Sequence, residues 1–141
     1  LCTNKFFNLA RERKMAGTSQ YFGNLILNYM RGVAMPAPPA NLYVALYNGD
    51  PDSGGTEVTT QVLASGRPTG VFSPSTAKSM SNTQVVDFGN SAGAVTITHM
   101  AVLDAKTGGN IFQSKQLSSQ RQIAQGDPVR YPVGGLTFII P

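Results

Sequence analysis

Leu42–Thr59, LYVALYNGDPDSGGTEVT, decides how the rest of the chain is read. Leu42, Val44 and Leu46 alternate with Tyr43, Ala45 and Tyr47. That two-residue period is a strand's, and apolar groups in both sets predict a strand at least partly covered on both faces. Asn48–Gly55 then gathers Gly, Asp, Pro and Ser. These residues build turns by supplying positive φ, a fixed φ or a side-chain oxygen for the backbone. β-type residues resume at Thr56, so Glu57–Leu63 is read as a second strand.

Upstream, Met35-Pro36-Ala37-Pro38-Pro39 cannot be helical and is read as an extended linker. Before it, Thr18 or Ser19 can cap a helix over about residues 19–31, with Gly32 as its stop. Phe22, Leu25, Ile26 and Tyr29 recur at i, i+3, i+4, i+7, a one-sided stripe expected to pack on the sheet. Arg31 in the last turn complements the helix dipole.

Downstream, Arg67–Thr83 reads as a long loop with a short strand near Val71-Phe72. Strands follow at Gln84–Phe88 and Val95–Asp104. The turn Ala105–Gly109 joins the latter to Asn110–Gln116 in the strongest hairpin signal of the chain. Gly126-Asp127-Pro128 is a tight turn before Val129–Val133 and Leu136–Ile140. Seven to nine short strands with regular turns predict a mainly β fold, a β-sandwich or jelly-roll-like barrel with one N-terminal amphipathic helix. Residues 15–141 are read as a single β domain.

The composition fits a protein whose faces are covered by neighbours. Of 141 residues, 41% are hydrophobic but only 13% are charged, about half the roughly 25% of an average domain. Net charge is +4, most of it in the first fourteen residues through Lys5, Arg11, Arg13 and Lys14 against Glu12. The nearly neutral body argues against direct nucleic-acid binding. Cys2 is the only cysteine, so no intrachain disulfide or thiolate cluster can form. The apolar runs are too short for a membrane helix.

Two readings of residues 1–14 stand side by side. Met15-Ala-Gly-Thr reads as a natural start, which would make the preceding residues translated upstream sequence. Alternatively they form a basic arm that docks on a partner chain through Phe6, Phe7 and Leu9, with Arg11 and Arg13 beside them. An intact mass beginning at Ala16 would eliminate the arm.

Residues able to do covalent chemistry are scarce. His99 is the only histidine, and no nucleophile elbow or His-x-x-Glu-His pattern accompanies it; it is read as packed or at an interface. Asp50-Pro51-Asp52-Ser53-Gly54-Gly55 has the opening spacing of a calcium loop, but the twelfth position is Gln61 rather than a bidentate acid, and a turn is the reading taken. Lys106-Thr107 lacks the glycine frame of a phosphate loop. No enzyme, cofactor or metal is expected. Tyr21, Tyr29, Tyr43, Tyr47 and Tyr131 could line a sugar-binding face or lie at core edges and protein interfaces; Tyr43 and Tyr47 are taken as partner contacts.

Three segments carry a family resemblance: Leu42–Thr59, Val85–Gln116 and Ile123–Ile140. "LYVAL" followed by a Gly/Asp loop, the turn Ala105-x-x-Gly108-Gly109-Asn110 and the turn Gly126-Asp127-x-Val129 resemble small structural proteins of tailed-bacteriophage virions, both tail-fibre-like proteins and capsid cement or decoration proteins. The chain departs from them in having no Trp in Val95–Val102 and in its N-terminal arm. The motifs do not separate capsid from tail. A short chain without fibrous repeat or heptad shaft favours a cement protein on the capsid exterior, a homodimer or homotrimer bridging major capsid protein subunits. The alternative is a tail-associated host-attachment protein.

Overall fold

The computed structural model describes residues 17–140. The expected arm contacts Phe6, Phe7, Leu9, Arg11 and Arg13 lie outside them. The opening stretch becomes strand β1 (Leu42–Asn48). It pairs antiparallel with β6 (Val95–Leu103), Val44 opposite Val102 and Leu46 opposite Met100. On its other side β1 holds two short strands, β2 (Thr56–Glu57) and β3 (Thr69–Gly70). Beyond β6 lies β7 (Ile111–Ile123), completing a five-stranded antiparallel sheet. Two ribbons pair β4 (Ser79–Ser81) with β9 (Thr137–Ile139), and β5 (Val86–Asn90) with β8 (Pro128–Tyr131). The mainly β class with one main helix near the N-terminus is as expected.

Alternation puts the two residue sets of β1 and β6 into different cores. Val44, Leu46, Met100 and Val102 join Val86, Phe88, Val129, Leu136 and Phe138 from the ribbons and their connections in the larger one. Ala45, Tyr47, Ala101 and Leu103 form a smaller cluster with Ile111 against it. Both faces of the central pair are therefore covered, which is why Leu42–Tyr47 is apolar throughout. Phe72 meets Phe138 edge-on at 5.6 Å, and Phe88 meets Tyr131 at 6.3 Å.

One expected strand is a correction. Only Thr56 and Glu57 pair with β1; the chain then turns into the short helix α2 (Thr59–Val62), although the main helix precedes it as α1 (Gln20–Met30). Val58, Thr59 and Val62 are buried and Val58 and Val62 enter the larger core, while Thr60 and Gln61 are exposed; a helical turn gives that pattern, whereas a strand would put Thr60 on the same face as Val58 and Val62. Buried Thr59 fixes the turn by accepting a hydrogen bond at Oγ1 from the Leu46 amide, 2.9 Å. The long loop also proves more structured than expected, containing β3, β4 and a bridge between Phe72 and Asn82.

Asn82, 2% exposed, holds the ribbon layer together. Its Nδ2 donates to the carbonyls of Gln84 and Pro132 at 2.8 and 2.9 Å, and its Oδ1 accepts from the Leu136 amide at 2.9 Å. Asn82→Ala strands the buried Leu136 amide and releases the part-buried carbonyls of Gln84 and Pro132. The expected loss is about 2–3 kcal/mol in a urea unfolding titration; a loss under about 0.5 kcal/mol, the size of an ordinary surface change, would show that the network is dispensable.

Candidate assembly surface

The N-terminal helix is the part of the molecule least absorbed by its own core. Ser19 caps α1: its Oγ accepts from the Phe22 amide at 3.0 Å and donates to the Ile111 carbonyl. The Ser19 amide donates to the Phe112 carbonyl at 3.0 Å, and the Ser114 amide to the Gly17 carbonyl at 2.7 Å. Gly17–Ser19 thus occupies the outer edge of β7 at its first residues. Phe112 receives the helix, with Tyr21 stacked at 6.0 Å and Phe22 tilted at 5.1 Å. Gly32, at φ 96°, ends it in the left-handed region that glycine tolerates.

Three of the four residues of the expected stripe pack, and none of them fully. Phe22, Leu25 and Ile26 are half-buried, and no residue of α1 is buried. Tyr29, expected on the packed face, is 63% exposed, Leu27 also 63% and Met30 76%. Three consecutive apolar residues, Leu25-Ile26-Leu27, sweep too wide an arc for one contact face. The sheet takes one side of that arc and the other faces outward. Val33 and Met35 continue the exposed apolar surface beyond the helix.

Between α1 and the linker lies an apolar groove of about 750 Å³, lined by Phe22, Leu25, Met35, Pro39, Met80 and Phe112 among others. The three prolines hold the linker extended, so the groove keeps an open wall. Arg31 is the single charged residue between Gly17 and Gly49 in the sequence. Asp104, at the start of the β6–β7 turn, is the one charged side chain lining the groove among the described residues. Covering a side chain the size of Leu or Met stabilises by about 1.5–3 kcal/mol, so this surface is suited to contact with protein.

The other expected contacts are dispersed. Tyr47 is 7% exposed and belongs to the smaller core cluster. Little of its ring is offered to a partner; burial, then the nearby Glu57 charge, raises its phenol pKa despite the opposing Arg67. Tyr43 is half-buried opposite Thr69 and Leu103. Tyr131 packs on Phe88, and burial raises its pKa too, against an opposing Arg121. With Tyr21 and Tyr29 on α1, the five tyrosines do not converge on one sugar-binding face. His99 sits mid-strand opposite Tyr47, its Nδ1 2.9 Å from Thr98 Oγ1. Asp50 caps a 3-10 turn, accepting from the Asp52 amide at 3.0 Å. Among the described residues no group of three His, Cys, Asp or Glu side chains could hold a metal ion, and no helix is long and apolar enough to cross a membrane.

A protein-family model described as "Podophage GP4 fiber I protein gp80" matches residues 17–139. The chain belongs to that family. It is a phage structural protein, and the match spans α1, the sheet and both ribbons. No curated protein matches the chain. The family is described as a fibre protein, which favours the tail alternative over capsid cement. The missing shaft, which had pointed to the capsid, carries less weight than a match over nearly the whole described chain.

Proposed function

We propose that this chain is a building block of a podophage tail fibre, acting by attachment to other virion proteins and not by covalent chemistry. The observation that carries the reading is the family match over residues 17–139. The exposed, uncharged helix and its groove support it, because they supply a surface whose free energy falls when protein covers it. The scatter of His99, the carboxylates and the tyrosines supports a non-enzymatic role. A fibre component anchors one end of a contact chain to the tail and leaves the rest for the next component; a cement protein would repeat over the whole shell.

Antibody–gold labelling of purified particles tests the location. Gold at the tail, with the chain far below the major capsid protein in quantitative mass spectrometry, is the expected result. Label spread over the head at near-equal stoichiometry would overturn the fibre reading and restore the cement one.

A further inference from the structure

We infer that a second groove, between α2 and the end of the main sheet where β6 begins, binds a neutral oligosaccharide. It holds about 700 Å³, within the range of ligand sites, and shares no lining residue with the groove beside α1. Val58, Val95 and Ile123 line its apolar side. The first two belong to the larger core and Ile123 packs on it. Asn48, Thr56 and Gln61 line its polar side. Alternation puts Asn48 on the face of Val44 and Leu46, with its cross-strand partner Thr56 beside it. The groove is therefore the open end of the core layer, with two carboxamides and a hydroxyl at its rim.

Its two banks are tied together on either side of Ala94–Thr96. The Gly49 amide donates to Thr98 Oγ1 at 2.7 Å, joining the end of β1 to β6. The Ala92 amide donates to the Val62 carbonyl at 3.0 Å, joining the approach to β6 to α2. The Gly126 amide, bonded to the Ser91 carbonyl at 2.7 Å, holds the β7–β8 turn against that same approach. A site held in shape before its ligand arrives gives up less freedom on binding.

The lining selects the ligand. Among the described residues no charged side chain lines the groove, so an ion brought into it would lose water without compensation. The Asn48, Thr56 and Gln61 side chains have no hydrogen-bond partner among the described residues, and each offers both a donor and an acceptor. Sugar hydroxyls use both, while the C–H face of a sugar ring covers the aliphatic floor. A peptide strand would be held through backbone groups at a strand edge; the polar groups here belong to side chains.

NMR titration of the isotope-labelled full chain tests this. Maltohexaose, cellohexaose, mannohexaose and N-acetylchitohexaose are the neutral probes, and polygalacturonate is the anionic control. At least one neutral probe is expected to shift the amides around Asn48, Gln61 and Val95, and the control to leave them in place. Asn48→Ala with Gln61→Ala lowers the affinity for that probe about tenfold or more, while thermal unfolding is unchanged because both side chains are exposed. Ala94→Trp, at an exposed position of the lining, fills the groove and abolishes the shifts, whereas Tyr29→Ala on α1 leaves them. Four silent neutral probes, shifts centred on α1, a stronger response to polygalacturonate, or binding indifferent to the double substitution would each overturn the assignment. So would a Gly/Asn/Ser peptide that takes the groove in place of the sugars, since the groove would then be a protein contact. Gold on head or tail decides the fibre reading and leaves this result untouched.

Discussion

Phe88→Ala is expected to lower the unfolding free energy by about 3–5 kcal/mol, read as a lower urea midpoint with an unchanged slope. Phe88 is 0% exposed on β5. It belongs to the larger cluster with Val44, Leu46, Met100 and Val102 from the main sheet, and its ring meets Tyr131 on the paired strand β8. Truncation removes the transfer free energy of the ring and leaves a cavity between two layers that cannot close independently of their backbone ladders. Since a domain of this size holds only about 5–15 kcal/mol in total, at least about a fifth of its stability rests on this side chain. Phe88→Leu should cost much less by keeping most of the volume. A Phe88→Ala loss below about 1.5 kcal/mol would mean that the ribbons do not form one core with the sheet.

Much of this architecture was legible because local chemistry and tertiary demand agreed. The alternation of Leu42–Tyr47, the Ala105–Gly109 turn, the Gly126–Pro128 turn and the Ser19 and Gly32 helix ends each state their role within a few residues. Failures came where a residue's partner is remote. Val58 and Val62 look like strand residues until Thr60, which a strand would bury with them, is seen to be exposed. Asn82 reads as one more polar residue in a Ser/Thr-rich loop, and only its bonds to Pro132 and Leu136, 50 and 54 positions away, make it a hub. The α1 stripe was found correctly, but periodicity reports that a face is apolar and not whether the same chain covers it. Tyr47 shows the converse: an aromatic near a loop invites an interface reading, and burial beside Ala45 and Leu103 denies it.

Arg67→Met is expected to cost about 3 kcal/mol near neutral pH and to reverse the local pH dependence of stability. Arg67 is 7% exposed, and its guanidinium forks onto Glu57, Nη2 to Oε1 at 2.7 Å and Nε to Oε2 at 2.8 Å. Burial pushes the Glu57 carboxyl up, but hydrogen bonds from Arg67 and Thr59 and the Arg67 charge outweigh it, leaving the group below its ordinary value of 4.5. A carboxyl with a depressed folded pKa adds stability that is complete above the unfolded value and is lost as pH falls through the folded one. Without Arg67 the largest remaining influence is burial, which raises the pKa, so acidification through the carboxylate range stabilises the variant where it destabilises the wild type. The Glu57 side chain is 29% exposed, which places the neutral-pH cost at the low end of the range for a broken buried pair. Adding Glu57→Gln should recover part of the loss, since the stranded charge goes with it. Arg67 also donates from Nη1 to the Ala105 and Gly108 carbonyls, both at 2.8 Å. It thereby pins the turn that carries Asp104 and leads directly into Ile111 and Phe112, the residues that seat α1. Amide exchange in Ile111–Ser114 should therefore quicken in Arg67→Met beyond what the global loss of stability accounts for. Parallel pH profiles in the two proteins, or exchange there that tracks global unfolding alone, would show that the pair holds neither the charge nor the turn.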